Sequence, residues 1–399
     1  MRRIRQLSTK RLIASTAGLL VAVGAGTTIA VAAGGAPTPP PRPLDKAVRH
    51  SLAGPSVPGV SARIRFTNHL IDSSGLEGVD PILKGASGRL WASADGRLRL
   101  ELQAEDGGGG DAIAGIDGNR FSLYDPRSNT LYRGNLPQQK AEPRQKTADG
   151  PPSLARIDQA LAKLSEHARL SGAKPGNIGG QAAYTVKATP KANGGLLGGL
   201  ALAWDASRAV PLKGAIYAKG SNDPVLALEA THVSFGSVAA SDLALPNPPG
   251  AKVVDLGTKS ARQSRSERKQ GRPVEGLASV RKALPFGLKA PDTLAGRPRT
   301  GVKLIGSGGK PAALVTYGRD LGAVEVIESQ ATPGDTGPPL PGRHHGRDLS
   351  LPKASINGRP GQQLETALGS LVRFDRAGVS YVVLGSVRPA TALAAARGL

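Results

Sequence analysis

The chain has 399 residues, a formal net charge of +22, a single methionine and no cysteine. The lack of cysteine excludes disulfide bonds, thiolate metal sites, cysteine nucleophiles and a lipid attached through cysteine. Aromatic residues make up only 3% of the chain, beside 53 glycines and 32 prolines, so leucine, valine and alanine must form most of the core. This length and composition favour two sheet-rich domains over a helical bundle.

The first 33 residues have the pattern of an export segment. Residues 1–11 carry five arginine or lysine residues and no acid, and residues 12–33 carry no charge. Ala30, Val31 and Ala32 form a cleavage pattern, yet the uncharged run is nearly long enough to span a bilayer. The segment is therefore either a cleaved signal peptide or a retained anchor. Both alternatives place the rest of the chain in the cell envelope or at the outer face of the plasma membrane.

Export also limits which anionic molecules could bind this positively charged protein. Nucleic acid is excluded outside the cytoplasm, and the remaining anions are phospholipid headgroups, wall polymers and acidic proteins. The other interpretation is that the charge only keeps the protein soluble.

The elements of a first domain, residues 44–256, follow a proline-rich tether at 34–43. Helical spacing of Leu44, Ala47 and Leu52 predicts a short amphipathic helix. Strict alternation of apolar and polar residues from 60 to 67 and from 97 to 102 then predicts strands with one apolar face. The remaining expected elements are hairpin turns at Asp95-Gly96 and Asp117-Gly118, a hairpin over 120–133, a helix from an N-cap at Ser153 to about Leu170, strands at 181–187, 199–204, 212–216 and 225–235, and a domain exit at 246–250.

A basic linker at 257–273 separates this domain from a smaller α+β domain at 274–399. Seven arginine or lysine residues and two acids occur between residues 252 and 273, without apolar periodicity. Such a segment is either a solvated spacer or a site that docks on an anionic membrane surface. In the second domain we expect a helix at 274–284, strands at 301–305, 312–317, 323–328, 364–374 and 379–387, and a terminal helix opened by Pro389.

No motif for catalysis or for a cofactor is found in the sequence. None of the six histidines forms a His-x-x-x-His pair, and neither a phosphate loop nor a Gly-x-Ser-x-Gly elbow occurs. We therefore expect no catalytic residues, no metal site and no cofactor, and we predict a protein that is not an enzyme.

Several segments of the first domain resemble the lipoprotein carrier (LolA-like) superfamily. They are the run from Val60 to Phe66, the hairpin from Gly118 to Arg133 with its Tyr-Asp-Pro turn, the turn from Asp205 to Leu212, and the closing strand from Glu229 to Phe235. The resemblance covers about residues 44–256 and implies an incomplete antiparallel β-barrel, covered by helices, whose apolar cavity accepts acyl chains. The two-domain layout is similar to that of the periplasmic sigma-factor regulators of the RseB/MucB type. The second domain looks more like that of Gram-positive exported relatives, and the Ala, Gly, Arg and Pro content fits an actinobacterial source.

Two functions follow as hypotheses from this resemblance. The first is an exported carrier-like protein that holds the acyl chains of a lipid or lipoprotein. The second is an extracytoplasmic regulator of a sigma and anti-sigma factor system, with the second domain binding a membrane protein. Alternating apolar residues can also simply pack a core. The residues that we expect to line a lipid cavity are Ala62, Ile64, Phe66, Leu98, Leu100, Phe121, Leu123, Leu202, Trp204 and Ile216.

Overall fold

The structure is a computed structural model that describes residues 37–70, 85–104, 112–126, 128–136, 154–245, 247–256, 274–306, 311–331 and 351–399. The expected export segment at 1–33, the first three tether residues, the N-cap at Ser153 and the basic linker at 257–273 lie outside the described residues. Among the helices that the structure describes, none is both long and apolar enough to cross a lipid bilayer. Most of the described chain lies in two antiparallel sheets.

The first unit combines short helices with a large sheet. Its helices are α1 (Leu44–Leu52), α2 (Leu154–Ser165) and α3 (Ala240–Leu243). Its strands are β1 (Gly59–Asn68), β2 (Ala86–Ser93), β3 (Leu98–Ala104), β4 (Ala112–Asp117), β5 (Arg120–Asp125), β6 (Thr130–Asn135), β7 (Ala168–Leu170), β8 (Lys174–Ile178), β9 (Gln181–Pro190), β10 (Leu197–Asp205), β11 (Pro211–Ala218), β12 (Pro224–Phe235) and β13 (Lys252–Asp255).

Two meanders meet in the middle of this sheet. Within the described residues the strand order is β13-β6-β5-β4-β3-β2-β1-β12-β11-β10-β9, and both β7 and β8 pair with the outer edge of β9. The neighbouring strands are antiparallel except β13, which lies parallel to β6. The pairing of β1 with β12 therefore joins the strands before α2 to those after it.

The strands after α2, from β8 to β12, curl back over the sheet. The backbone N–H of Val233 on β12 donates to the carbonyl of Gly179 in the β8–β9 turn at 3.2 Å, although β11 and β10 lie between β12 and β9 in the sheet. Gly179 has a φ of +61°, and a Cβ there would lie 3.0 Å from Val233 Cγ2. Glycine thus allows both the turn and the close approach, and the sheet bends into a half-barrel. We call the face inside this bend, which carries Val233, the inner face and the opposite one the outer face.

Helices cover part of the inner face. Ala47 of α1 packs in one buried cluster with Tyr184 of β9 and Trp204 of β10, and α2 packs against α1 and β7. On the outer face, Arg99 Nη1 donates to the carbonyl of Ala244 at 2.8 Å, so the chain after α3 crosses β3. The expected half-barrel is therefore present, the described helices cover only part of it, and strands outweigh helices more than an α+β fold implies.

The second unit is an eight-stranded antiparallel sheet with two helices. The helices described in it are α4 (Leu277–Ala283) and α5 (Pro389–Arg397). Its strands, in the sheet order β14-β15-β16-β17-β21-β20-β19-β18, are β14 (Thr293–Leu294), β15 (Arg297–Ile305), β16 (Ala312–Tyr317), β17 (Val324–Gln330), β18 (Lys353–Ile356), β19 (Arg359–Thr366), β20 (Gly369–Arg376) and β21 (Val379–Gly385).

Three expectations about element bounds were wrong. Helix α2 ends at Ser165, and Leu170 belongs to β7, because that segment pairs with β9. The strand expected over 364–374 is two strands, since Thr366 Oγ1 accepts the N–H of Leu368 and donates to the carbonyl of Gly369 across a tight turn. The chain does not leave the first sheet at 246–250, because β13 returns to pair with β6.

Hydrogen bonds connect the two units. The N–H of Leu196, between β9 and β10, donates to Ser386 Oγ at 3.0 Å. The N–H of Ala367 donates to the carbonyl of Leu70, just after β1, at 3.0 Å.

Candidate functional site

The cross-strand register places all ten expected lining residues on the inner face. One row of partners runs through Ala62, Leu90, Leu100, Ala114 and Leu123 on β1 to β5. Because side chains alternate along a strand, Ile64, Phe66, Leu98 and Phe121 share that face. On the other side of β1, Phe66 pairs with Leu228 on β12, and the same face continues across β11 and β10. It carries Ile216 on β11 and its partner Leu200 on β10, together with Leu202. The alternation in the sequence therefore agrees with the register, and whether these residues line a lipid cavity stays a prediction.

Burial divides these ten residues into two groups. Ala62, Ile64 and Trp204 are buried by the protein itself, at 9%, 4% and 6% exposure. The other seven are only half-buried: Phe66, Leu98, Leu100, Phe121, Leu123, Leu202 and Ile216. The inner face therefore combines three buried residues with seven apolar side chains that keep part of their surface accessible.

Trp204 lies where helix α1 closes over the sheet. Its indole Nε1 donates to Ser51 Oγ at 2.9 Å, and Ser51 Oγ itself lies 2.8 Å from the carbonyl of Ala206. Its ring centroid is 6.1 Å from that of Tyr184. These contacts fix the helix to the curled part of the sheet, so one end of the inner face is closed by packing.

The inner face also includes apolar residues that the sequence analysis did not select. Leu200 is 47% exposed, the largest exposure of an apolar side chain given for this face. Leu90 and Leu228 are half-buried beside Ala62 and Phe66. Leu200 belongs to the alternating run that identified β10, so the same signal could have found it. Leu90 and Leu228 depend on the pairing of β1 with β2 and β12, which no short-range pattern reveals.

The inner face offers apolar surface rather than reactive groups. Asp205 at its closed end is buried, but its carboxylate accepts the N–H and the hydroxyl of Ser207 within the β10–β11 turn and lies 3.6 Å from Arg208 Nη1. In the part of the chain that the structure describes, no group of three or more His, Asp or Glu side chains could hold a metal ion. The described side chains of the inner face are therefore mainly apolar.

One buried carboxyl lies in the second unit. Glu328 on β17 has no exposed surface, its Oε2 accepts the backbone N–H of Lys289 at 2.9 Å, and its Oε1 has no hydrogen-bond partner among the described residues. Burial raises the pKa of Glu328 to about 7, against the lowering effect of the Lys289 N–H. Burial and the nearby Glu328 charge also raise the pKa of Tyr317 and Tyr381. This carboxyl is part of a core and not of an open site.

Comparison with known proteins gives matches among solved structures alone. No family model and no curated protein matches the chain. A crystal structure of MucB in complex with the periplasmic part of MucA is 16% identical with a TM-score of 0.38, and covers 88% of this chain and 94% of that one. A second MucB structure, from the Pseudomonas aeruginosa MucA/MucB complex, is 14% identical with a TM-score of 0.39 and the same coverage. A domain described as an outer membrane lipoprotein-sorting protein from Vibrio parahaemolyticus is 13% identical with a TM-score of 0.20, and covers 50% of this chain and 92% of that one.

Proposed function

We propose that this protein is an exported, non-enzymatic binding protein that holds the acyl chains of a lipid or lipoprotein against the inner face of its first sheet. The observation that supports the proposal most is the half-buried state of seven apolar residues that share this one face. Soluble proteins rarely leave a large contiguous apolar patch uncovered without a ligand or partner for it.

The energy of burial is sufficient for such a ligand. Each methylene transferred from water contributes about 0.8 kcal/mol, so a sixteen-carbon chain contributes on the order of 12 kcal/mol before the costs of ordering. A surface of leucine, isoleucine and phenylalanine binds a hydrocarbon without specific hydrogen bonds, as a carrier requires.

Leu200 provides a sharp test, because Leu321 in the second unit is a matched control. Each side chain is 47% exposed, but Leu200 lies on the inner face and Leu321 in the turn between β16 and β17. We expect the full-length protein to take up a fluorescent fatty acid and to release lipid on solvent extraction. Leu200→Glu should weaken uptake at least tenfold, because a carboxylate on this face opposes a hydrocarbon, whereas Leu321→Glu should not.

Two results would contradict the carrier proposal. One is native mass spectrometry that finds the full-length protein without lipid, together with no uptake of the fluorescent fatty acid. The other is equal uptake by wild type and the Leu200→Glu variant, which would mean that any lipid binds elsewhere.

A second candidate function is an extracytoplasmic regulator of a sigma and anti-sigma factor system, binding a membrane protein through the second unit. It is supported by half-buried apolar residues on the face of the second sheet opposite to α4 and α5. Leu314 faces Ile327 there, and Leu371 faces Leu384. If this function is correct, the wild type should recover one stoichiometric membrane protein from an envelope extract, and Leu371→Glu should lose it. Recovery that Leu371→Glu leaves unchanged would contradict it.

A further inference from the structure

A group of exposed arginines lies on the outer face, away from the proposed lipid-binding face. We define the arginine patch as Arg63 and Arg65 on β1 and Arg89 on β2, which are all exposed. Arg63 and Arg89 are direct cross-strand partners. Side chains in such pairs lie about 5 Å apart at Cβ, and like charges there are destabilising. This pair of like charges therefore does not stabilise the sheet.

The acids beside the arginine patch already have other partners. Glu101 lies opposite Arg89 but forms its ion pair with Arg99, and Glu229 lies opposite Arg65 but pairs with Lys213 at 2.6 Å. Within the described part of the chain, no hydrogen bond or ion pair joins the three patch arginines to an acid. The patch and its neighbours therefore present five cations against two carboxylates.

The chemistry of the patch fits phosphate. The guanidinium group is planar, stays charged at any physiological pH, and binds phosphate oxygens through two parallel hydrogen bonds. Three guanidinium groups at neighbouring positions of the sheet can donate hydrogen bonds to several phosphate groups that lie side by side on one surface.

The predicted export segment favours the phosphates of a membrane. The described chain begins at Pro37, whose carbonyl accepts Asn177 Nδ2 at 3.0 Å on β8. The 22 uncharged residues at 12–33, which suit a bilayer in length, precede Pro37 by only a few residues in the sequence, so a retained anchor would keep the first sheet close to a membrane.

We propose that Arg63, Arg65 and Arg89 form a second binding surface, for the anionic phospholipid headgroups of a membrane. This surface is distinct from the predicted basic linker at 257–273 and from the inner face, so it does not depend on the acyl-chain proposal. It holds the outer face of the first sheet against the bilayer while the inner face points away from it.

The experiment measures how the full-length protein divides between buffer and vesicles. The vesicles consist of phosphatidylcholine alone or with about one third phosphatidylglycerol, and the quantity of interest is the ratio of the two partition coefficients. Taking this ratio removes any insertion of residues 12–33 that is common to both vesicles. Each arginine near an anionic surface contributes about 1 kcal/mol, and each 1.4 kcal/mol is a factor of ten. The triple variant Arg63→Gln, Arg65→Gln, Arg89→Gln should therefore lower the ratio by about tenfold to a hundredfold at low salt.

Two control variants separate the patch from total charge and from misfolding. Arg319→Gln, Arg359→Gln, Arg388→Gln removes the same charge from exposed positions of the second unit and should leave the ratio within about twofold of wild type. Replacing the three patch arginines by lysine keeps the charge and should retain most of the ratio. Circular dichroism checks that each variant is folded.

Three outcomes would overturn the proposal. The first is a ratio that the triple glutamine variant does not lower. The second is an equal loss in the control variant of the second unit, which would mean that total charge and not the patch decides. The third is binding of soluble polyglutamate that depends on the patch while the vesicle ratio does not, which would assign the surface to an acidic polypeptide.

Discussion

The two sheets cover their apolar faces to different extents. In the second unit, α4 and α5 pack on one face, and the core on that side contains many side chains with no exposed surface: Val280, Val315, Tyr317, Val324, Val326, Val372, Val383 and Ala392. In the first unit, α1 and α2 close only the curled end, and seven of the ten selected residues remain half-buried. A sheet face that helices pack against closely loses its accessible apolar surface, whereas a face that the described helices cover in part keeps some of it.

The largest expected effect is a loss of stability when a core residue of the second unit is truncated, compared with truncation of an inner-face residue of the first unit. Ile356 in the core of the second unit is 2% exposed, so Ile356→Ala should lower the free energy of unfolding by about 2–5 kcal/mol. Leu200→Ala on the inner face should lower it by about 0.5 kcal/mol or less. Urea unfolding measures both, with circular dichroism for the second unit and tryptophan fluorescence for the first, because Trp91 and Trp204 both lie in the first sheet. A cost of several kcal/mol for Leu200→Ala would mean that the inner face is a closed core.

The next largest effect is a dependence of the stability of the second unit on pH, caused by the buried Glu328. Since burial raises the pKa of Glu328 from 4.5 to about 7, the folded state holds this proton more tightly than the unfolded state does. The contribution of Glu328 to stability is therefore complete below pH 4.5 and is lost as the pH rises through about 7. Glu328→Gln, which has no charge to bury, should equal wild type near pH 5 and exceed it by about 1–3 kcal/mol at pH 8.

Urea unfolding at several pH values checks this expectation. The control is Glu275→Gln, which removes half of an exposed ion pair with Lys303 and should change stability by about 0.5 kcal/mol or less at every pH. A wild-type stability that does not fall between pH 5 and pH 8 would contradict the assignment of a buried, protonated carboxyl.

The smallest effect concerns the closed end of the first sheet. Ser51→Ala leaves the indole N–H of Trp204 without its acceptor, so the first unit should lose about 1 kcal/mol or slightly more. Ser87→Ala on the exposed outer face should be nearly neutral. Tryptophan fluorescence during urea unfolding reports both changes. Equal costs for the two substitutions would show that Ser51 does not hold α1 in place.

The sequence predicted the types of elements and the faces of strands better than it predicted which sheet faces are covered by helices. Alternation in 60–67 and 97–102 placed Ala62, Ile64, Phe66, Leu98 and Leu100 on one face, because the two-residue period of a strand is a local property. The helix at Leu44–Leu52 and the terminal helix opened by Pro389 were also found from spacing and from the fixed φ of proline.

Properties that depend on distant partners were not predictable in this way. The spacing of apolar residues from Leu154 to Leu164 predicted a helix that runs to about Leu170, but the pairing of β7 with β9 takes residues 168–170 into the sheet. The contact between Gly179 and Val233 bends the sheet, and the arginine patch arises only when β1 and β2 align. Whether a residue such as Leu200 stays accessible is likewise a result of where the helices stop, which no periodicity encodes.

Strand β13 has a consequence for how the first unit can be isolated. It covers the edge of β6 with a parallel pairing of Lys252–Asp255 against residues 130–133. A truncation at the proline-rich stretch near residue 249 would remove it and leave the backbone donors and acceptors of β6 open to another copy of the chain. Such a fragment should associate edge to edge, whereas one that ends at Leu256 keeps its own border strand.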